Sequence, residues 1–159
     1  MAPGYLFCSD PLRASRPDPA FADEVAGARR SGGDIALVDH DALIAGDSAG
    51  ALGRVPRGSG PYWYRGWMIP VLEYEVLSRG LRERGRALLT MPDRFGRAHE
   101  LPGWYALFAD RVTTDLAPRE DGRWRVVEVG DGQVSGLPAG ADATLLFDAL
   151  TRAGGRLTG

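Results

Sequence analysis

The strongest constraint on the fold comes early in the chain. Tyr5 to Cys8 is a short apolar run stopped by Ser-Asp-Pro, and Ile35 to Val38 is a second run ending at Asp39-His40-Asp41. Apolar runs of this length, bounded by turn residues, read as buried strands. Between them Phe21, Val25 and Ala28 keep helical spacing, Asp18 is placed to cap that helix, Pro19 suits its first position, and Ser-Gly-Gly at 31–33 closes it. Parallel neighbours need a connection long enough to hold a helix, so strand, helix and strand in this order predict a right-handed crossover and a parallel sheet. The expected class is α/β.

Further along, residues 46–60 are rich in Gly, Ala and Ser and read as a loop, with ALGRV (51–55) as a candidate edge strand. PYWYRGWM, from Pro61 to Met68, gathers four aromatics around Arg65 and Gly66. A helix is predicted from Val71 to Arg84, with Leu72, Val76, Leu77 and Leu81 as its apolar stripe, and Arg86 to Thr90 as another parallel strand. The Pro-marked stretch MPDRFGRAHELPGWYALF reads as short helices or turns. Val112 to Leu116 and Trp124 to Val129 flank PREDGR, whose Asp-Gly pair suits an antiparallel hairpin. Asp142 to Ala153 supplies a closing helix that buries Leu145, Leu146, Phe147 and Leu150, with Gly154-Gly155 as its stop. The whole is expected to be one compact domain over 1–159, a mainly parallel sheet flanked by helices with a C-terminal antiparallel hairpin.

Charge narrows the function. A net charge of -2 gives no basic surplus for nucleic-acid binding. All nineteen basic side chains are Arg and none is Lys, which excludes a lysine nucleophile, a Schiff base and a phosphate-loop lysine from this chain. The single cysteine, Cys8, cannot form an intrachain disulfide, and its apolar setting predicts a buried, inert thiol. No apolar run approaches the roughly 18 residues that span a bilayer, and the first residues lack the basic and apolar regions of a signal peptide. We therefore expect a cytoplasmic protein with no membrane or nucleic-acid partner.

Several motifs bear on chemistry. If Asp115 and Glu128 project from neighbouring antiparallel strands to one face, their carboxylates can share a divalent cation such as Mg²⁺, with Asp131 or Gln133 adding an oxygen just beyond. Without a cation two adjacent carboxylates repel, and one must take a proton. The plainer alternative is two exposed residues on a wet sheet face. GDGQVSG, Gly130 to Gly136, is not a GxGxxG nucleotide fingerprint, because its third glycine comes one residue late and no helix follows directly. It is either an ordinary loop or a turn offering backbone N–H groups to an anion. Asp39-His40-Asp41 and Ser9-Asp10 stand at the carboxyl ends of two predicted parallel strands, where ligands bind in such sheets; the alternative is a histidine satisfied by local hydrogen bonds. His99-Glu100 lacks the second histidine of a zinc helix, and Pro102 would break that helix. No Ser-His-Asp arrangement can be assembled from two histidines in these settings. Arg65 either grips a carboxylate or phosphate with its planar fork or snorkels to the surface beside core aromatics.

The segment DLAPREDGRWRVVEVGDGQVSGLP resembles the closing motif of the ATP-grasp family, specifically its two-arginine, one-lysine clade. PDPAFADEVAGARRSGGDIALVDHDAL, VPRGSGPYWYRGWM and HELPGWY resemble the domain that precedes it, so 1–108 corresponds to that domain and 109–159 to the end of the ATP-grasp domain. The resemblance implies ATP held between two α+β lobes and a carboxylate joined to an amine through an acylphosphate, with Mg²⁺. It makes Asp115 and Glu128 the paired acidic metal ligands. The third ligand, an Asn in the family, is Gly130 here, which leaves Asp131 or Gln133 to substitute. Arg65, Gly130, Gln133 and Ser135 become the nucleotide- or substrate-binding candidates. Trp104, however, is followed by Asp115 after one short connection, where the family carries its ATP-clamping lobe, and no lysine is present to hold phosphate. Most of the catalytic stabilisation of phosphoryl transfer comes from such cations.

Three expectations follow. The chain is an ATP-grasp-like relative of carboxylate–amine ligases that does not ligate alone, with ATP and Mg²⁺ as cofactors if the ancestral site is retained and a partner chain supplying the missing lobe. Alternatively, it is a non-catalytic binding or assembly module that has lost ATP binding, expected to form a homo-oligomer. A third reading is an internal deletion, natural or engineered, without function of its own.

Overall fold

β1 (Gly4–Asp10) is the axis of the sheet, with every residue from Gly4 to Ser9 buried. The structure, a computed structural model, describes residues 3–99, 113–118, 124–130 and 142–157. After β1 come β2 (Arg13–Pro17), a short 3₁₀ turn, α1 (Ala22–Arg30), β3 (Ile35–Val38), α2 (His40–Ile44), α3 (Ser48–Ala51), β4 (Gly60–Tyr64), α4 (Val71–Arg82), β5 (Arg86–Leu88) and α5 (Pro92–His99). β6 (Thr113–Pro118), β7 (Trp124–Gly130) and α6 (Ala143–Leu157) complete the order.

β1 pairs in parallel with β3 on one side and β4 on the other, and β4 pairs in parallel with β5. β2 folds back antiparallel onto the end of β1, with a register shift at Ser9/Asp10 that turns the strand's carboxyl end out of the regular ladder. The class is α/β with a mostly parallel mixed sheet, as expected. Side chains alternate along β1, so Tyr5 and Phe7 face one layer and Cys8 the other. Phe147 of α6 packs edge-on against Tyr5, with centroids 4.7 Å apart, and Phe21 and Phe147 flank Phe7. On the opposite face Tyr64 meets Tyr74 of α4, which stacks on Phe95 of α5 at 3.8 Å. Helices therefore cover both faces.

The first crossover follows its sequence signals closely. Asp18 accepts a hydrogen bond from the Ala20 amide at the helix entrance, and β3 has the predicted bounds. Elsewhere packing moves the elements. ALGRV is not an edge strand: Asp47 caps α3, and Ala51, Leu52 and Val55 are buried at helical spacing, so this stretch turns its apolar side inward as helix and turn. On α4 Leu72 is 71% exposed, and the buried stripe is Tyr74, Leu77, Ser78 and Leu81. Gly154-Gly155 does not stop α6, and Leu145 is 68% exposed; Ala143, Phe147 and Gly154 are buried instead. No helix among the described residues is long and apolar enough to cross a membrane.

Candidate functional site

Because β1 and β3 run parallel, their carboxyl ends open on the same edge, and a cavity of about 320 Å³ lies there. Ser9 lines it from the end of β1, Asp39 from the end of β3, and His40 and Asp41 from the first turn of α2. Asp18 and Trp67 close it from the two flanking loops. Ser9 and Asp39-His40-Asp41 are at the edge where the strand pattern puts them; no signal in the sequence brings Asp18 and Trp67 to join them. Asp39 Oδ1 accepts from the Ala42 amide at 3.0 Å and so fixes the start of α2. Asp18 does two jobs: Oδ1 caps Ala20, and Oδ2 accepts from the Trp67 indole Nε1–H at 3.0 Å. His40 Nδ1 lies 3.5 Å from Asp41 Oδ1, while His40 Nε2 is buried with no hydrogen-bond partner among the described residues.

Cys8 packs beneath the backbone of Trp67. Its Sγ accepts from the Trp67 amide at 3.3 Å and lies 3.9 Å from the Tyr64 hydroxyl, which itself donates to the Trp67 carbonyl at 2.6 Å. Gly66 lets this loop lie flat: a Cβ there would come within 2.6 Å of both Cys8 Sγ and the Tyr64 hydroxyl. Burial pushes the Cys8 thiol up to about 11, and burial likewise raises Tyr64. The thiol is thus protonated and buried in the fold, in line with the inert cysteine expected from its apolar setting.

Arg65 begins the same loop, its amide continuing the β1–β4 ladder to the Leu6 carbonyl at 2.8 Å. Its side chain does not snorkel: Arg65 is 2% exposed, and Nε and Nη2 both donate to Glu24 Oε2, at 3.0 and 2.7 Å. The fork grips a carboxylate of this chain, on α1. Breaking a buried pair of this kind strands a charge in the core, at a cost of about 3–5 kcal/mol. The pair fastens the Arg65–Trp67 loop, and with it one wall of the cavity, to α1.

The acidic pair of the hairpin lies apart in sequence. β6 and β7 are antiparallel, as predicted, and Asp115 is the cross-strand partner of Glu128, with a register shift directly after Asp115. Cross-strand partners sit about 4.5–5.5 Å apart at Cβ, and like charges in that relation are destabilising unless neutralised. Gly130 ends β7; Asp131, Gln133 and Ser135 lie outside the described residues. Among the described residues no three His, Cys, Asp or Glu side chains form a metal-holding group.

A parallel α/β sheet with a cavity at its carboxyl edge, followed by a hairpin with registered acidic residues, defines the general class. The comparison with protein families sharpens it: residues 94–150 match the model of the ATP-grasp domain of the two-arginine, one-lysine clade, family 3, consistent with an ATP-grasp family protein. That segment takes in most of α5, both hairpin strands and the first half of α6. No curated protein and no solved structure matched the chain.

Proposed function

We propose that this chain is an ATP-grasp-like protein, related to ATP-dependent carboxylate–amine ligases, in which Asp115 and Glu128 bind Mg²⁺ and through it a nucleotide, but which does not ligate by itself. The observation that carries this reading is the Asp115–Glu128 register inside the segment that matches the ATP-grasp model. The short connection between Trp104 and Asp115 and the absence of lysine support the loss of solo turnover. Calorimetric titration of the whole chain with ATP tests it. Binding should depend on Mg²⁺, and Glu128→Gln should weaken it at least about tenfold while leaving the melting temperature in place. Binding that is unchanged in Glu128→Gln, or missing from the parent chain, overturns the reading.

A second reading, a binding or assembly module without nucleotide, is favoured by one observation. Trp67, Met68, Leu72 and Met91 are large apolar residues left 45–71% exposed. A second copy or a partner chain covering them would explain that exposure.

A further inference from the structure

We infer that the amino edge of the sheet is a docking surface for an acidic, extended segment of another protein. The surface lies apart from the cavity, at the opposite ends of the parallel strands, and the inference rests on neither reading above. Residues 55–59, before β4, and 79–86, from the end of α4 to the start of β5, carry five arginines against one carboxylate, Glu83. Backbone carbonyls, not acids, hold most of these guanidinium groups. Arg57 Nη1 donates to the Glu83 carbonyl at 3.1 Å, Arg84 Nη1 to the Val55 carbonyl at 3.0 Å, and Arg86 Nε and Nη1 to the Pro56 and Ser59 carbonyls at 3.3 and 3.2 Å. The Gly58 amide laces the two segments together by donating to the Arg84 carbonyl at 3.1 Å. Gly85, at φ 77°, permits this approach, since a Cβ there would meet the Gly58 carbonyl oxygen at 2.8 Å. Arg86 reaches one carboxylate, Asp34, at 3.7 Å; none among the described residues pairs with Arg57, Arg79, Arg82 or Arg84. A guanidinium that gives one N–H to a carbonyl keeps its charge and the rest of its fork. The cluster is therefore a fixed, uncompensated set of donors, the arrangement that grips carboxylates.

The neighbouring strand sets the form of the partner. β5 ends the path β2-β1-β4-β5, and among the described residues only β4 pairs with it, so its outer edge is open to a further strand directly beside Arg84 and Arg86. An edge strand recognises a peptide through main-chain hydrogen bonds, while flanking side chains choose its sequence. A nucleic acid offers no such main chain, and the net charge of -2 opposes the long-range attraction on which its binding depends.

The test is fluorescence anisotropy of the whole chain with a labelled peptide alternating Glu and Thr, in the absence of ATP and Mg²⁺. A Gln–Thr peptide of the same length and an oligothymidylate of the same charge are the controls. The Glu–Thr peptide should bind saturably and more weakly as NaCl is raised, and in ¹H–¹⁵N spectra it should shift the amides of residues 86–88. The Gln–Thr peptide should not bind, and oligothymidylate should bind at least about tenfold more weakly. Arg57→Gln with Arg82→Gln, both at exposed positions, should weaken the Glu–Thr peptide about tenfold or more. Arg13→Gln with Arg16→Gln removes the same charge from exposed positions on β2 and should leave its affinity unchanged. Arg82→Gln alone, whose partner is the Ser78 hydroxyl one turn back, serves if the first pair does not fold. No saturable binding, oligothymidylate binding as tight as the peptide's, unmoved amides at 86–88, full affinity in the folded Arg57 and Arg82 variants, or an equal loss in the Arg13 and Arg16 variant overturns the proposal. Because nucleotide is absent throughout, failure here leaves the hairpin reading untouched, and failure of ATP binding leaves this one untouched.

Discussion

Cys8 ties its own protonation to the stability of the fold. In the folded chain the thiol holds its proton up to about 11, against 9.0 for a free thiol. The folded state therefore binds that proton more tightly than the unfolded state does. The resulting stabilisation is whole below about 9, declines as pH rises from there through about 11, and amounts to on the order of 3 kcal/mol. Unfolding free energies measured from pH 8 to 11 should fall more steeply for the parent chain than for Cys8→Ala, because Tyr62 titrates in both and cancels in the difference, while the part of the Tyr64 shift that Cys8 causes is lost together with the thiol. Parallel slopes would mean that the thiol is not buried as described. Arg65 shows how far residue-scale reading reaches. The aromatics of YWYRGWM left it open whether Arg65 grips an anion or snorkels to the surface, and the partner that decides, Glu24, lies 41 positions away. One signal was available: position 24 falls on the stripe of Phe21, Val25 and Ala28, and a charge on an apolar stripe requires a counter-charge.

At the scale of elements, the helices that departed from expectation did so because polar or small residues occupied the packing face. Tyr74 took the place assigned to Leu72, since its ring stacks on Phe95 while its hydroxyl donates to the Thr90 carbonyl at 3.0 Å. Gly154 read as a stop, yet it lies on the buried stripe of α6, where a Cβ would come within 2.6 Å of Pro3 Cγ. The same logic makes Gly27 a contact residue. A Cβ at that position would meet Ala143 Cβ at 2.6 Å and the Ala143 carbonyl carbon at 3.0 Å, so α1 and α6 lie close only because position 27 is bare. Gly27→Ala should lower the unfolding free energy by about 1–3 kcal/mol, although Ala is the better helix former by ~1 kcal/mol. A denaturant midpoint equal to or above the parent's would show that the two helices have room to part. The β1–α1–β3 crossover and the β6–β7 pairing were legible because their signals are local; the stripes of α4 and α6 were not, because the neighbours that choose them are distant in sequence.

For the molecule as a whole, the exposed Trp67, Met68, Leu72 and Met91 bear on association. If a second copy covers them, light scattering across a hundredfold dilution should give a mass that falls toward 17.1 kDa, and Met68→Glu with Leu72→Glu should leave only the smallest species. A constant mass of 17.1 kDa at every concentration would remove self-association from the second reading. The cavity was half legible: two strand ends announced Ser9 and Asp39, while Asp18 and Trp67 reach it through loops whose course no periodicity encodes. Position along the chain has a further consequence for synthesis. The hydroxyl of Tyr5 donates to the Phe147 carbonyl at 2.9 Å and lies 2.7 Å from Thr151 Oγ1, so the central strand is sealed by residues translated more than 140 positions later. On the ribosome that face of β1 stays uncovered while the intervening residues are made, which leaves the nascent chain open to chaperone capture until α6 emerges.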